Sequence, residues 1–141
     1  FSNVEMSIKN PKKVMNNNIN STKNLIYFVK KYGIKNFIFS SSASVYGNVN
    51  FRNNIKENHY TKPINPYGKS KLRCEKIIKK SFKRSNVNYC IFRYFNVVGK
   101  HLSNKISKKN NLNLFERIKH CVKFRKIFRI YGNNLNTYDG T

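Results

Sequence analysis

Two short apolar runs set the limits on what this chain can become. Phe37-Ile38-Phe39 closes on Ser40-Ser41-Ser42, and Tyr89-Cys90-Ile91-Phe92-Arg93-Tyr94-Phe95 is a second run of the same kind. Continuous rather than alternating hydrophobicity is the pattern of a buried strand, the setting of a parallel sheet. Each run follows a segment of helical period. From about Val14 to Tyr32 apolar residues recur through Ile19, Ile26 and Val29, with Leu25, Phe28 and Tyr32 beside them. Gly33 then supplies a stop, and Lys30 and Lys31 suit the negative end of a helix dipole. From Tyr67 to Phe82 the period returns through Cys74, Ile77 and Ile78, and Pro66 stands where a helix loses nothing by a missing N–H. After a basic, Asn-rich loop from Lys100 to Asn110, a third helix is expected through Leu112, Phe115, Ile118 and Val122, then a short strand at Ile127–Tyr131. Helix and strand alternate, so the expected class is α/β with a parallel sheet.

The 141 residues are enough for one core of small-domain size. No apolar run approaches the roughly 20 residues that a membrane span needs. Nor does Phe1-Ser2-Asn3 begin an export signal, so a cytosolic protein is expected. A formal charge of +24 ordinarily points to nucleic acid or an anionic surface. Here the lysines are spread along the whole chain among Asn and Ile, residues that A/T-rich codons specify. The bias of a genome accounts for that pattern without a nucleic-acid partner, although anionic ligands are still attracted. Cys74, Cys90 and Cys121 have no short pairwise spacing, and His59, His101 and His120 are equally dispersed, so no metal site is expected.

The residues with chemical promise lie at the strand end and on the helix that follows. Tyr67 and Lys71 are four apart, hence on one helical face. A phenol titrates near 10, too high for a base at neutral pH, and a nearby ammonium is expected to lower that by roughly 1–3 units. Ser42, at the carboxyl end of its strand, is placed to hydrogen-bond the same substrate hydroxyl and relay the proton. Together the three make an acid/base site for alcohol–ketone interconversion. Ligands of α/β sheets bind beyond the carboxyl ends of strands, where Asn96 also falls.

Three segments carry a family resemblance. Asn36-Phe37-Ile38-Phe39-Ser40-Ser41-Ser42-Ala43-Ser44-Val45-Tyr46-Gly47, Asn65-Pro66-Tyr67-Gly68-Lys69-Ser70-Lys71 and Arg93-Tyr94-Phe95-Asn96-Val97-Val98-Gly99-Lys100-His101 resemble the UDP-glucose 4-epimerase group of the extended short-chain dehydrogenase/reductase family. The third segment separates that group from the sugar-nucleotide dehydratases, which usually carry Thr-Asp-Glu where Ser42-Ala43-Ser44 stands. Weaker likeness runs from Val4 to Thr141.

The resemblance implies an NAD-dependent interconversion of UDP-glucose and UDP-galactose through a 4-keto sugar. Tyr67 is implied as the base, Ser42 as its helper, and Lys71 as the residue that holds the nicotinamide ribose and tunes Tyr67. Asn17 and Phe95 match cofactor-contacting positions, as do Ser42, Tyr67 and Lys71. Ser44, Asn96, Asn111, Leu112 and the Arg129-Ile130-Tyr131 stretch match positions that contact the UDP-sugar, again with Ser42 and Tyr67. Helix capping or core packing accounts nearly as well for Asn17, Asn111 and Leu112. A homodimer through the helical faces at 14–32 and 67–83 is implied as well.

The departures define what portion this is. Gly33, Gly47, Gly68, Gly99, Gly132 and Gly140 are isolated, so no Gly-rich dinucleotide loop occurs, and Ser2 stands where the family has a cofactor-contacting Lys. The loop from Leu102 to Lys109 is shorter and more basic than the family's, and Arg129 replaces a small residue. The expected architecture is therefore a partial Rossmann-like, doubly wound parallel sheet. Residues 1–100 form the second half of an NAD-binding domain and 101–141 the start of a UDP-sugar-binding region. An internal fragment of this kind is expected to be inactive alone. Epimerisation of UDP-N-acetylglucosamine or UDP-glucuronate, and a basic nucleic-acid-binding module, are the alternatives.

Overall fold

A computed structural model of the chain describes residues 4–49, 55–97 and 114–129. The chain divides into two units, one of Phe1–Val49 with Asn54–Tyr94 and one of Asn50–Asn53 with Phe95–Thr141.

In the first unit the order is α1 (Val4–Lys9), α2 (Pro11–Lys31), β1 (Asn36–Ser42), a 3₁₀ turn (Ala43–Val45), α3 (Pro66–Phe82) and β2 (Asn88–Tyr94). Helix α2 starts three residues before the expected Val14, because Pro11 fits the first turn of a helix without losing a hydrogen bond. It ends in a Schellman arrangement. The Ile34 N–H donates to the Val29 carbonyl at 2.9 Å and the Gly33 N–H to that of Lys30 at 3.4 Å. Gly33 takes φ +62°, a left-handed conformation that costs glycine little. Helix α1 was not anticipated by the periodicity.

Strand β1 ends in the three serines, as expected, with Ser42 its last residue. It pairs in parallel with β2 from Asn36↔Asn88 to Ser42↔Tyr94, with Ser41 opposite Arg93. Helices α2 and α3 lie over one face of this pair. Ile26 and Val29 from α2, Phe37 and Phe39 from β1, and Cys74, Ile78 and Phe82 from α3 make one buried cluster. The expected α2 stripe turns inward, with Ile26 and Val29 buried beside Val14 and Thr22, while the flanking Leu25, Phe28 and Tyr32 are exposed.

In the second unit α4 spans Leu114–Lys123. The strand expected at Ile127–Tyr131 is not formed over Ile127–Arg129, and Ile130 and Tyr131 lie outside the described residues. A single extended segment needs a neighbouring strand to accept its ladder of hydrogen bonds, and the described residues of this unit supply none. Among the described residues no helix is long and apolar enough to cross a membrane.

Candidate active site at the carboxyl end of the first strand

Helix α3 begins where β1 ends, and its start is over-determined. Asn65 caps it, its Oδ1 accepting from the Gly68 N–H at 2.7 Å, a contact worth about 1 kcal/mol. Pro66 occupies the first turn. A side chain at Gly68 would put its Cβ 2.4 Å from the Ser44 carbonyl oxygen, so the helix start can lie this close to the serine turn only without one. The turn is stapled from inside as well. The Ser44 N–H and the Ser44 Oγ each lie 3.2 Å from the Ser42 Oγ, which accepts from the first and donates to the second.

This arrangement brings Ser42, Tyr67 and Lys71 together. Tyr67 is 8% exposed, and interaction with the Ser42 side chain favours its ionised form. Lys71, half-buried, donates from Nζ to the Ser40 carbonyl at 2.8 Å, and that nitrogen lies 5.0 Å from the Phe39 ring centroid and 5.8 Å from that of Tyr67.

The electrostatics differ from the expectation. Burial raises the Tyr67 phenol above its ordinary value, and the Ser42 hydrogen bond offsets only part of that. Lys71 is not among the influences that lower it, because the ammonium reaches past the ring to the Ser40 carbonyl. Burial in turn lowers Lys71, with the neighbouring Cys74 opposing. The phenol here is protonated at neutral pH, with a hydroxyl rather than an ammonium as its immediate polar contact.

A second group of charged residues sits behind these three. Tyr67, Lys71 and Glu75 fall at successive four-residue steps on the inner face of α3. Glu75 is 1% exposed. Its Oε1 accepts from Ser41 Oγ at 2.5 Å and from Arg93 Nε at 3.0 Å, and its Oε2 from the Arg93 NH2 nitrogen at 2.8 Å. The Nη1 of Arg93 donates to the Tyr46 hydroxyl and to the Glu57 carbonyl, both at 3.0 Å. The guanidinium also lies over the Tyr46 ring, 4.8 Å from its centroid. These bonds, Glu75's first among them, raise Arg93 well beyond its already high range, so it is charged at every working pH. Removing Arg93 would leave the buried Glu75 carboxylate without its charged partner, a loss that reaches about 3–5 kcal/mol where both members of a pair are buried.

The motif reading did not single out Glu75 or Arg93. One signal was available: the chain has 5 acidic residues against 29 basic ones, and one of the five continues the Tyr67–Lys71 face.

The other expected site residues are more dispersed. Ser44 lies in the serine turn. Asn17 is exposed on α2, beside Asn18, whose Nδ2 donates to Ser70 Oγ on α3 at 2.9 Å. Phe95 and Asn96 directly follow β2, are exposed, and belong to the second unit, as does the exposed Arg129. Asn111, Leu112, Ile130 and Tyr131 lie outside the described residues. Among the described residues no group of His, Cys, Asp and Glu could hold a metal ion.

Residues 1–139 match the NAD dependent epimerase/dehydratase family. The chain is 34% identical over 146 aligned residues to the UDP-glucose 4-epimerase of Streptococcus mutans, covering all of this chain and 43% of that protein. It superposes on a UDP-Glc/GlcNAc 4-epimerase from Campylobacter jejuni with a TM-score of 0.74 at 33% identity, over all of this chain and 44% of the other. A UDP-glucose-4-epimerase from Stenotrophomonas maltophila, with bound NAD and formylated UDP-arabinopyranose, gives a TM-score of 0.87 at 28% identity, over all of this chain and 43% of the other. The chain therefore spans less than half the length of the relatives it matches. Their Rossmann-like architecture agrees with the parallel β1–β2 pair and its covering helices.

Proposed function

The chain belongs to the NAD dependent epimerase/dehydratase family, and from that premise we propose that it is part of a UDP-glucose 4-epimerase, interconverting UDP-glucose and UDP-galactose. The observation that carries this reading is the convergence of Ser42, Tyr67 and Lys71 at the carboxyl end of β1. Residues 1–100 are read as the second half of the nucleotide-binding domain and 101–141 as the start of the sugar-binding region.

The donor chemistry suits a nicotinamide cofactor. Lys71 gives one of its three N–H groups to the Ser40 carbonyl and has two more for a pair of ribose hydroxyls. NAD, when bound, supplies reversible storage of a hydride. The rest is done by side chains of this chain. Tyr67 takes the proton of the sugar 4-hydroxyl as that carbon is oxidised and returns it when the 4-keto sugar is reduced on its other face. Ser42 steadies both oxygens by hydrogen bonding, and Ser44 extends the hydroxyl chain toward the sugar. Since burial favours the neutral phenol, Tyr67 is better prepared as the acid of the return step, and its action as base gains as pH rises. Asn17 and Phe95 are proposed cofactor contacts. Asn96, Asn111, Leu112, Arg129, Ile130 and Tyr131 are proposed contacts to the UDP-sugar.

UDP-N-acetyl sugars are the second reading of the substrate, favoured by the Campylobacter jejuni relative, which is described as acting on both kinds. A homodimer is proposed through the outer face of α2, where Leu25, Tyr27, Phe28 and Tyr32 are exposed. Three cysteines, all free, suit a reducing compartment, and a cytosolic location is proposed.

The test uses the gene product that carries this chain, assayed for UDP-galactose turnover beside its Tyr67→Phe variant. Loss of about 10²–10⁴-fold in kcat is expected. Equal rates in the two proteins would remove Tyr67 from the chemistry. Turnover of UDP-N-acetylgalactosamine in the same assay decides between the two substrate readings.

A further inference from the structure

Glu75 and Arg93 take no part in the proton chemistry above, yet they bracket the segment that performs it. The turn carrying Ser42 and Ser44 is short of bonds of its own. Its backbone closes once, from the Tyr46 N–H to the Ala43 carbonyl at 3.0 Å, and its side chains add the two Ser42–Ser44 contacts. What holds it comes from outside. Ser41, the residue before Ser42, is tied to Glu75, while Tyr46, just past the turn, receives a hydrogen bond from Arg93 and lies under its guanidinium.

We propose that the Arg93–Glu75 ion pair is a positioning device: it grips the serine turn at both ends and so sets the Ser42 hydroxyl against the Tyr67 phenol.

The chemistry of the pair fits that role better than the role of simple filler. Three elements meet in it, namely α3 through Glu75, β2 through Arg93, and the segment from β1 into the turn through Ser41 and Tyr46. The β1–β2 register puts Ser41 directly opposite Arg93, so one carboxylate accepts from both. Arg93 uses Nε and one terminal nitrogen as a fork on Glu75 and the other terminal nitrogen on Tyr46. A lysine ammonium has no such planar fork and cannot hold both partners at fixed angles. Glu75 also lies four residues beyond Lys71 and eight beyond Tyr67, so the helix that presents those two residues is the one that anchors the turn. Rotation or sliding of α3 moves the turn with it, which keeps hydroxyl and phenol in register.

The kinetic arm of the test rests on the epimerase reading, and the spectroscopic arm does not. Tyrosines in the gene product carrying this chain are labelled with ¹³C at the ring carbon bearing the hydroxyl, and Tyr67 is titrated in the wild type and in Ser42→Ala, Arg93→Lys and Tyr46→Phe variants. The Tyr67 midpoint should rise by about half a pH unit or more in Ser42→Ala and Arg93→Lys, the worth of one lost hydrogen bond. A smaller rise is expected in Tyr46→Phe, which keeps the ring and the ion pair and so tests the proposal even where Arg93→Lys does not fold. Adding Ser42→Ala to either variant should bring the midpoint to the Ser42→Ala value and no higher. In turnover, Arg93→Lys should lose about 100-fold in kcat, with KM within about twofold, as misplacement of a reacting group does. A folded Arg93→Lys or Tyr46→Phe protein whose Tyr67 titrates as in the wild type overturns the proposal. A wild type with no turnover defeats the epimerase reading instead, and leaves the titration to decide the positioning role.

Discussion

The two faces of the β1–β2 sheet come from the same fourteen residues and live in different surroundings. Under α2 and α3, Phe37, Phe39 and Ser41 are buried, with Ile91 and Arg93 half-covered. On the opposite face Ile38 is 68% exposed, Phe92 44% and Tyr94 45%, although these side chains are no less apolar. The covered face holds both the packing core and the polar network that leads to Tyr67. The proposed site residues Tyr67 and Lys71 thus stand on the helix that packs on the covered face, and the bare face carries apolar area without a matching role among the described residues.

That contrast yields graded expectations. Ile78 is fully buried in the cluster over the covered face, so Ile78→Ala should cost about 2–5 kcal/mol in chemical denaturation. A cost near that of a surface change would mean the covered face is not the core. Gly68→Ala forces a methyl group against the Ser44 carbonyl and should cost about 1–3 kcal/mol while depressing turnover. A variant with unchanged melting and activity would show that the helix start and the serine turn need not touch.

The pH profile probes the same face more gently. The Ser42 hydrogen bond lowers the Tyr67 pKa, so its removal in Ser42→Ala leaves burial unopposed and raises it. With the phenolate as the proposed base, the rising limb of kcat/KM should move to higher pH, and the rate at a fixed pH on that limb should fall. A limb that stays in place, or moves to lower pH, contradicts this geometry. Smallest of all is the expected effect on the bare face. Ile38→Ser should change stability by no more than about 0.5 kcal/mol, as at other exposed sites. A larger loss would mean that something covers this face in the protein as it works.

Much of the fold was legible in the residues, for identifiable reasons. Pro66 and the period through Cys74 and Phe82 marked α3, and the two apolar runs marked β1 and β2. The failures have a common origin. Leu25, Phe28 and Tyr32 are as apolar as their neighbours on α2, but Val14, Thr22, Ile26 and Val29 occupy the buried side and those three are exposed. Helical period identifies a stripe and leaves open which of two adjacent stripes is buried. Ile127 to Arg129 looked like a strand by composition and is irregular, since a strand is a relation between two segments and not a property of one. At the site, Ser42, Tyr67 and Lys71 were visible as a motif, whereas Glu75 and Arg93 were not, because the acid and the base are 18 residues apart and meet only across a helix and a strand.

By itself the sequence determined which stretches coil and which extend, and that Tyr67 and Lys71 share a side of one helix, because these properties depend on neighbours a few residues away. Only the tertiary structure decided that the Lys71 ammonium ends on the Ser40 carbonyl, that burial outweighs any charge in setting the Tyr67 phenol, and that a buried carboxylate joins Ser41 to Arg93. Those outcomes follow from strand register and from exclusion of water, and both arise only when segments distant in the chain pack together.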